Sequence, residues 1–222
     1  MTTPVLSSVE PFDDDSVGPA VRGFLHRPRG APAHGLVLTH GAGSDCDAPL
    51  LQTLAAAFAA AGVAVLRCDL PFRQARAAGP PSPGLAARDR EGLRRAVGAL
   101  RALANAPVSL GGHSYGGRQA SILAAEEPAL ADALLLLSYP LHPPGRPAQQ
   151  RTEHFDALRT PALFVHGARD PFGTLDELHH ALRSVPARTA VLQVDAAHDL
   201  GRGGAGTPIP IIVDAFARLR RG

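Results

Sequence analysis

The sequence predicts a single α/β domain in which a mostly parallel sheet carries helices on both faces. Short apolar runs alternate repeatedly with segments of helical character along the 222 residues. The strand-like runs are almost continuously apolar, which is typical of parallel strands that are buried on both faces. The chain is 45% hydrophobic and 19% charged, an ordinary balance for a globular protein with a sizeable core. No stretch has the character of a linker, so we expect one domain over residues 1–222.

The predicted elements follow one another in a regular order. Residues 1–20 are expected to form an N-terminal extension with an edge strand, and Val21–His26 is the best edge-strand candidate. The other strand candidates are residues 35–41, 63–69, 107–110, 131–140, 160–167 and 189–195. Helices are predicted, from apolar spacing and glycine or proline stops, over residues 49–62, 85–105, 118–127, 175–184 and 210–220. Segment 72–84 is rich in proline, glycine and alanine, which predicts a loop.

Charge and cysteine content favour a cytoplasmic protein that acts on small molecules. The net charge of +2 is too small to favour nucleic acid or an anionic membrane surface as a partner. Cys46 and Cys68 cannot form a disulfide framework, which favours a reducing compartment. The N-terminus lacks the features of a signal peptide, and the longest apolar stretch, residues 50–66, is too short and too interrupted to span a membrane.

The clearest motif is SLGGHSYGGRQAS, residues 109–121. Its central residues 112–116, GHSYG, fit the pattern G-x-S-x-G, with Ser114 between two pairs of glycines. In this pattern a tight turn from strand to helix lifts the serine hydroxyl above the sheet, and glycines leave room where side chains would collide. The serine then lies at a helix N-terminus, where free N–H groups face negative charge. Ser114 is therefore the candidate nucleophile, and the alternative is an ordinary turn.

A nucleophilic serine needs a base and a group that orients the base, and both candidates follow strands. His198 lies in a short loop after the last predicted strand, whereas His179 and His180 lie within a helix and are interpreted as structural. Asp170 follows the strand before it and completes the chain order serine, acid, histidine. The alternative for Asp170 is a turn aspartate, because Asp-Pro favours turns. The fallback acids, which follow the strand at 131–140, are Glu153 and Asp156.

An oxyanion hole is predicted at the loop THGAGSD, residues 39–45. This loop follows the first central strand and can supply one backbone N–H, and the residue after the nucleophile supplies the other. The candidate donors are the amides of Ala42 and Tyr115, with Gly43 as a weaker alternative to Ala42. His40 is expected to brace the loop, not to transfer protons.

With these motifs the chain resembles the α/β-hydrolases from about Val21 onward. HGAGSD, GGHSYGGRQAS, YPLHPPGRP, ARDPFG and AHDL are similar to a small branch without a lid, whose relatives include a testis-expressed protein and a subunit of a histone acetyltransferase complex. The chain is more distantly similar to dienelactone hydrolases, which use a cysteine nucleophile where this chain has Ser114. The resemblance implies the α/β-hydrolase fold and a catalytic triad of Ser114, His198 and Asp170.

The predicted pocket is shallow and open. Only residues 141–160 lie between two strands where many α/β-hydrolases carry a cap, which leaves room for a loop and one short helix but no cap domain. The segment YPLHPPGRP is expected either to place Tyr139, Leu141 and His142 near the mouth or to be a rigid proline-rich connection. Phe72, with the following loop, is expected on the opposite wall.

Together these features predict a serine hydrolase that acts through an acyl-enzyme on small esters or thioesters. Such chemistry needs no metal or organic cofactor, and neither Cys46–Asp47 nor Asp13–Asp15 has the spacing of a metal site. Two alternatives remain open: a non-catalytic fold that serves as a protein-binding scaffold, and an acyltransferase. The scaffold has no physical need for a serine, a histidine and an aspartate together.

Overall fold

One eight-stranded sheet organises the protein. The computed structural model describes residues 8–204 and 206–221, so the prediction for residues 1–7 lies outside the described residues. The strands are β1 (Ser8–Asp14), β2 (Val21–Arg27), β3 (His34–Thr39), β4 (Val63–Cys68), β5 (Val108–His113), β6 (Leu134–Leu137), β7 (Ala162–Gly167) and β8 (Thr189–Val194). Their order is β1-β2-β4-β3-β5-β6-β7-β8. Strands β3 to β8 run parallel and the β1–β2 and β2–β4 pairs are antiparallel, so the predicted fold class is confirmed.

Helices cover both faces of this sheet. They are α1 (Pro49–Ala60), α2 (Pro71–Ala75), α3 (Ala86–Ala104), α4 (Tyr115–Glu126), α5 (Leu175–Leu182) and α6 (Ile209–Arg221). On one face, α1 and α6 pack together through an edge contact between Phe58 and Phe216. On the other face, α3, α4 and α5 contribute residues such as Leu93, Leu123 and Leu178 to a second core. Both sheet faces are therefore buried, which explains why the central strands are apolar throughout.

The N-terminal strands differ from the prediction in one respect. Val21–Arg27 does not form the sheet edge, because it pairs with β4 on one side and with Ser8–Asp14 on the other. The edge strand is β1, whose sequence SVEPFDD contains a proline and three acidic residues and is largely exposed. These features blunt an open edge against further strand pairing.

Segment 72–84 is not a continuous loop as predicted. Its first residues belong to helix α2, which begins at Pro71, and a turn of 3₁₀ helix spans Pro83–Leu85. Proline at the first helical position is preorganised for the helix and loses no hydrogen bond there. The helix buries Phe72 and Arg73 although it is only five residues long, too short to show helical periodicity in the sequence.

The connection between β6 and β7 carries no cap in the described chain. It contains one short turn of 3₁₀ helix, Phe155–Ala157, as the sequence predicted. Because β3, β5, β7 and β8 are parallel, their carboxyl ends lie together at one end of the sheet, and no cap covers them in the described chain. In open α/β sheets ligands bind at these carboxyl ends.

Buried histidines should make the fold sensitive to acid. Burial lowers the pKa of His26, His113 and His154 to about 4. It lowers the pKa of His34 to about 3. Since an unfolded histidine titrates near 6.5, the unfolded chain binds protons preferentially between these values. The contribution of these neutral histidines to the free energy of unfolding is full above about pH 6.5 and is lost as the pH falls toward 4.

We therefore expect the free energy of unfolding in urea to decrease from pH 6.5 to pH 4. The slope should correspond to an uptake that approaches one proton for each of the four histidines, His26, His34, His113 and His154. Replacing His34 with glutamine should remove about one proton from that slope. Stability that stays flat across this range in the wild type would contradict the prediction.

Candidate active site

Ser114 occupies a strained turn between β5 and α4. Its backbone has φ 50° and ψ −114°, a left-handed conformation that a non-glycine residue rarely adopts. Two hydrogen bonds hold the turn: the Ser114 N–H donates to the Leu137 carbonyl at 2.8 Å, and the Arg118 N–H donates to the Ser114 carbonyl at 2.9 Å. The turn directs the serine away from the strand that precedes it, and Ser114 lines the open cavity described below.

The glycines around Ser114 are required by close backbone approach. A Cβ atom on Gly116 would lie 2.5 Å from the carbonyl oxygen of His40 and 2.6 Å from a methyl group of Thr39. A Cβ atom on Gly112 would lie 2.8 Å from the backbone of Gly116. Helix α4 can therefore begin directly against β3 and β5 only because these positions lack side chains.

Gly116→Ala should destabilise the protein, while a second glycine offers a matched control. We expect a loss of about 3 kcal/mol, at the upper end of overpacking costs, because the added methyl group meets a backbone carbonyl. A Cβ atom on Gly98, in helix α3, has no neighbour within 4 Å. Gly98→Ala should stabilise the protein by about 0.5–1 kcal/mol through helix propensity. Urea unfolding of both variants tests the contrast, and equal effects would contradict it.

A continuous chain of hydrogen bonds joins Ser114, His198 and Asp170. The distance from His198 Nε2 to Ser114 Oγ is 2.8 Å. On the other side of the ring, Nδ1 lies 2.9 Å from Oδ1 and 2.8 Å from Oδ2 of Asp170. Because a carboxylate can only accept, neutral His198 carries its proton on Nδ1 and leaves Nε2 free to accept the serine proton.

Two neighbours fix the position of His198. The ring of Phe172 stacks on its imidazole, with centroids 4.1 Å apart and planes 29° apart. His113 Nε2–H donates to the backbone carbonyl of His198 at 2.8 Å. Burial keeps the pKa of His113 low, so this side chain stays neutral and its proton is available for that bond. The loop that carries His198 is thereby tied directly to the residue before the serine.

Asp170 is buried, and among the described residues neither alternative acid forms a hydrogen bond or ion pair with His198. Its Oδ1 atom also accepts from the Phe172 N–H at 2.9 Å. Glu153 is exposed and lies 3.9 Å from Arg118, and Asp156 is exposed in the 3₁₀ turn. His179 and His180 are exposed on α5, in agreement with the structural interpretation.

The loop after β3 lies over the serine. A Cβ atom on Gly41 would be 3.5 Å from Ser114 Cβ, so the backbone at this point passes directly beside the hydroxyl. Within the described residues, neither the Ala42 N–H nor the Tyr115 N–H donates a hydrogen bond to another group of the protein. Ala42 and Gly43 line the same cavity as Ser114, and Tyr115 directly follows the serine at the start of α4.

An open cavity of about 650 Å³ connects these groups. It is lined by His113, Ser114 and His198 and, at the start of α1, by the apolar residues Leu50 and Leu51. The other lining residues are His40, Gly41, Ala42, Gly43, Ser44, Asp45, Asp47, Ala48, Pro49, Phe172, Asp199 and Arg202. The lining is therefore mixed, with apolar, polar and charged residues.

The four residues predicted for the pocket wall do not line this cavity. Tyr139 and Leu141 are buried in the core, where Tyr139 packs against Phe155 and Phe164. His142 is also buried, and its Nε2 atom lies 3.4 Å from Glu177. The segment YPLHPPGRP therefore packs beside α5 instead of forming the mouth.

Phe72 lies beneath the loop and the elbow instead of facing the cavity. Its ring contacts Tyr115 edge-on, with centroids 5.6 Å apart, and lies near His40. Asp89, which is fully buried, accepts from the Phe72 N–H at 2.9 Å and from the Tyr115 hydroxyl at 2.7 Å. This network anchors the side chain of Tyr115, the residue that follows the serine.

Several residues of the site were not identified from the sequence. His113 occupies a variable position of the G-x-S-x-G pattern, so the motif gives no role for it. Phe172 follows Asp170 closely, but stacking on a residue 26 positions later leaves no local signal. Asp89 and Arg73 belong to helices whose contacts with the loop depend on tertiary packing.

Other chemistries find less support among the described residues. Both cysteines are buried, and burial raises the pKa of Cys46 to about 12, so it is not a thiolate near neutral pH. No group of three or more metal-ligating side chains occurs in the described part of the chain. None of the helices over residues 8–204 and 206–221 is long and apolar enough to span a membrane.

Comparison with known proteins shows the family. Residues 32–205 match a family model described as an alpha/beta hydrolase domain, so the chain belongs to this family. The expected resemblance to α/β-hydrolases is confirmed. Membership in the smaller branch with the testis-expressed protein stays a prediction.

Solved structures share the whole fold at low sequence identity. A dienelactone hydrolase from Anabaena variabilis ATCC 29413 is 19% identical over 97% of both chains, with a TM-score of 0.75. An alpha-beta serine hydrolase homologue from Coxiella burnetii is 17% identical over 97% of this chain and 99% of the other, with a TM-score of 0.72. Est1E from Butyrivibrio proteoclasticus is 16% identical over 96% and 99%, with a TM-score of 0.73. Identities this low establish a shared fold and not a shared substrate.

Proposed function

We propose that this protein is a serine hydrolase that cleaves small esters or thioesters through an acyl-enzyme. The observation that carries the proposal is the hydrogen-bonded chain from Ser114 through His198 to the buried carboxylate of Asp170. A serine hydroxyl is a weak nucleophile until an adjacent base accepts its proton, and this chain supplies that base in the required tautomer.

In the first step Ser114 Oγ attacks the substrate carbonyl while its proton passes to His198 Nε2. Asp170 holds the imidazole in place and stabilises the imidazolium that forms. The carbonyl oxygen becomes an oxyanion, which the free amides of Ala42 and Tyr115 meet as hydrogen-bond donors. His198 then gives its proton to the leaving alcohol or thiol, and the acyl group stays on Ser114.

In the second step water attacks the acyl-enzyme along the same route. His198 takes a proton from the water, the oxyanion forms again in the same position, and the acid product leaves with Ser114 restored. Phe172 and His113 keep the imidazole between the two reacting oxygens throughout. In this scheme the side chains of Ser114, His198 and Asp170 and the backbone amides of Ala42 and Tyr115 perform both steps.

The open cavity favours short acyl groups. Its apolar wall at Leu50 and Leu51 is modest, and no cap covers it in the described chain, so little of a long acyl chain could be buried. Esters and thioesters are easier to cleave than amides, which need more activation of the leaving group. The dienelactone hydrolase and serine hydrolase names of two structural neighbours agree with this class.

Two further features of the partner remain part of the proposal. The net charge of +2 gives no reason to expect nucleic acid or a membrane surface as partner, so the substrate is taken to be a small molecule. The two cysteines favour a reducing compartment, so the protein is taken to act in the cytoplasm. Acyl transfer to an acceptor other than water would share the first step with hydrolysis. The two reactions differ in whether water or another acceptor takes the acyl group from Ser114.

The test is steady-state hydrolysis of 4-nitrophenyl acetate and of a short acyl thioester, with and without added alcohols. We expect turnover of both substrates and free acid as the main product. Capture of most acyl groups by a dilute alcohol would instead show a transferase. A well-folded protein without turnover of any short-chain ester would contradict the proposal.

A further inference from the structure

Arg73 is a nearly buried cation that holds the backbone of the loop beside Ser114. The side chain belongs to α2, and the residue is only 8% exposed. Its Nε–H donates to the Ser44 carbonyl at 2.9 Å, and its Nη2–H donates to the Ala42 carbonyl at 2.8 Å. It also donates to the carbonyls of Arg76 and Gly79, at 3.4 Å and 3.3 Å. All four of these acceptors are backbone carbonyl groups.

His40 holds the same loop one peptide earlier. The Leu70 N–H donates to His40 Nε2 at 3.0 Å, which leaves the histidine proton on Nδ1. That Nδ1–H lies 2.8 Å from the Gly41 carbonyl and donates to it. Burial lowers the pKa of His40, which favours the neutral ring that this arrangement requires.

Peptide geometry converts these contacts into the direction of two amides. In a trans peptide the carbonyl of one residue and the N–H of the next point in opposite directions. His40 draws the Gly41 carbonyl inward, so the Ala42 N–H points the other way. Arg73 draws the Ala42 carbonyl inward, so the Gly43 N–H points the other way. The two side chains fix Ala42 from both of its ends.

We propose that Arg73 is a positioning residue of the reaction. By holding the Ala42 carbonyl it keeps the Gly43 N–H, the alternative to Ala42 as an oxyanion donor, turned toward the oxyanion, and it steadies Ala42, whose own N–H is set by His40. The inference rests on the proposed serine hydrolase function and names a residue that the triad does not contain. Planar guanidinium groups can bind two acceptors at once in a fixed geometry, which suits this task better than an ammonium group. Nearly full burial of the charge is tolerated because carbonyl dipoles surround it.

The predicted signature is a loss in kcat with little change in KM. Oxyanion contacts form in the transition state, so misplaced donors lower kcat and kcat/KM together. Removing a donor costs about 10²- to 10³-fold, and a displaced donor should cost less, about 10- to 100-fold. Arg73→Gln should show this loss with 4-nitrophenyl acetate, and Arg73→Lys should show an intermediate loss.

A transition-state analogue separates positioning from a general structural role. Ser114 Oγ attacks the carbonyl carbon of a trifluoromethyl ketone, and the serine proton passes to His198. The ketone oxygen becomes an oxyanion that resembles the one formed in the transition state. In Arg73→Gln its inhibition constant should rise by the same factor by which kcat/KM falls. The control is Arg88→Gln, because Arg88 is exposed on α3 and is not among the residues that Arg73 contacts. We expect Arg88→Gln to behave as the wild type.

The outcomes distinguish the inference from the function on which it rests. An active wild type with an Arg73→Gln variant that keeps kcat, or that changes only KM, would overturn the positioning role alone. Arg73→Lys with full wild-type activity would overturn it as well, because a single ammonium nitrogen lacks the planar fork that holds the two carbonyls in a fixed geometry. If Arg73→Gln does not fold, the intermediate Arg73→Lys variant carries the same test. A folded wild type with neither turnover nor ketone binding would overturn both proposals.

Discussion

His198→Ala should lower kcat by about 10⁶-fold, to the level of Ser114→Ala. His198 Nε2 is 2.8 Å from Ser114 Oγ, and among the described residues no other side chain forms a hydrogen bond with that hydroxyl. His179→Ala is the matched control, because His179 is exposed on α5 and should leave kcat unchanged.

The double variant Ser114→Ala/His198→Ala adds a sharper test. Residues that act as one unit give effects that do not add, so the double variant should be no slower than either single variant. Steady-state hydrolysis of 4-nitrophenyl acetate measures all three. A further large loss in the double variant would show that the serine and the histidine act independently, which contradicts the triad.

Asp170→Asn should lower kcat by about 10³- to 10⁴-fold while leaving the fold intact. The amide occupies the same space but removes the charge that stabilises the imidazolium, and it can donate to Nδ1 and so favour the wrong tautomer of His198. Phe172 N–H can still donate to the remaining side-chain oxygen, so we expect near-wild-type unfolding in urea.

Asp156→Asn provides the control for this change. Asp156 was an alternative acid in the sequence, and the structure leaves it exposed in the 3₁₀ turn. We expect it to keep full activity. The opposite ranking, with Asp156→Asn inactive and Asp170→Asn active, would reassign the acid to the end of β6.

The sequence was sufficient to predict which residues meet at the strand ends, because the order of parallel strands alone determines that arrangement. Parallel strands bring their carboxyl ends to one edge, so a serine after β5, an aspartate after β7 and a histidine after β8 must lie near one another. To predict that these three residues meet, it was enough to know that each follows the end of a strand. The glycines at 112 and 116 carried the added signal for the elbow.

The pocket wall could not be predicted because the path of a loop depends on what it packs against. The YPLHPPGRP segment follows β6 at the correct edge of the sheet, but Tyr139 turns into an aromatic cluster with Phe155 and Phe164. The Tyr139 hydroxyl also donates to the Arg151 carbonyl at 2.7 Å. The cavity is walled by the start of α1 instead, whose apolar residues looked like ordinary core positions.

Two other errors have the same origin in tertiary packing. Val21–Arg27 becomes an interior strand because Ser8–Asp14 pairs with it as the edge strand that was expected within residues 1–20. Helix α2 places Arg73 against the loop that follows β3, where it binds the carbonyls of Ala42 and Ser44. The five residues of this helix are too few to show a helical period in the sequence.

Covalent labelling by a fluorophosphonate probe tests the central claim most directly. The probe phosphonylates a serine only where a base activates it, so intact-mass and peptide analysis should find one adduct on Ser114 in the wild type. Ser114→Ala and His198→Ala should show none, while Ser184→Ala, at an exposed serine beyond α5, should label as the wild type does. A well-folded wild type that remains unlabelled would contradict the hydrolase account and favour a protein-binding scaffold.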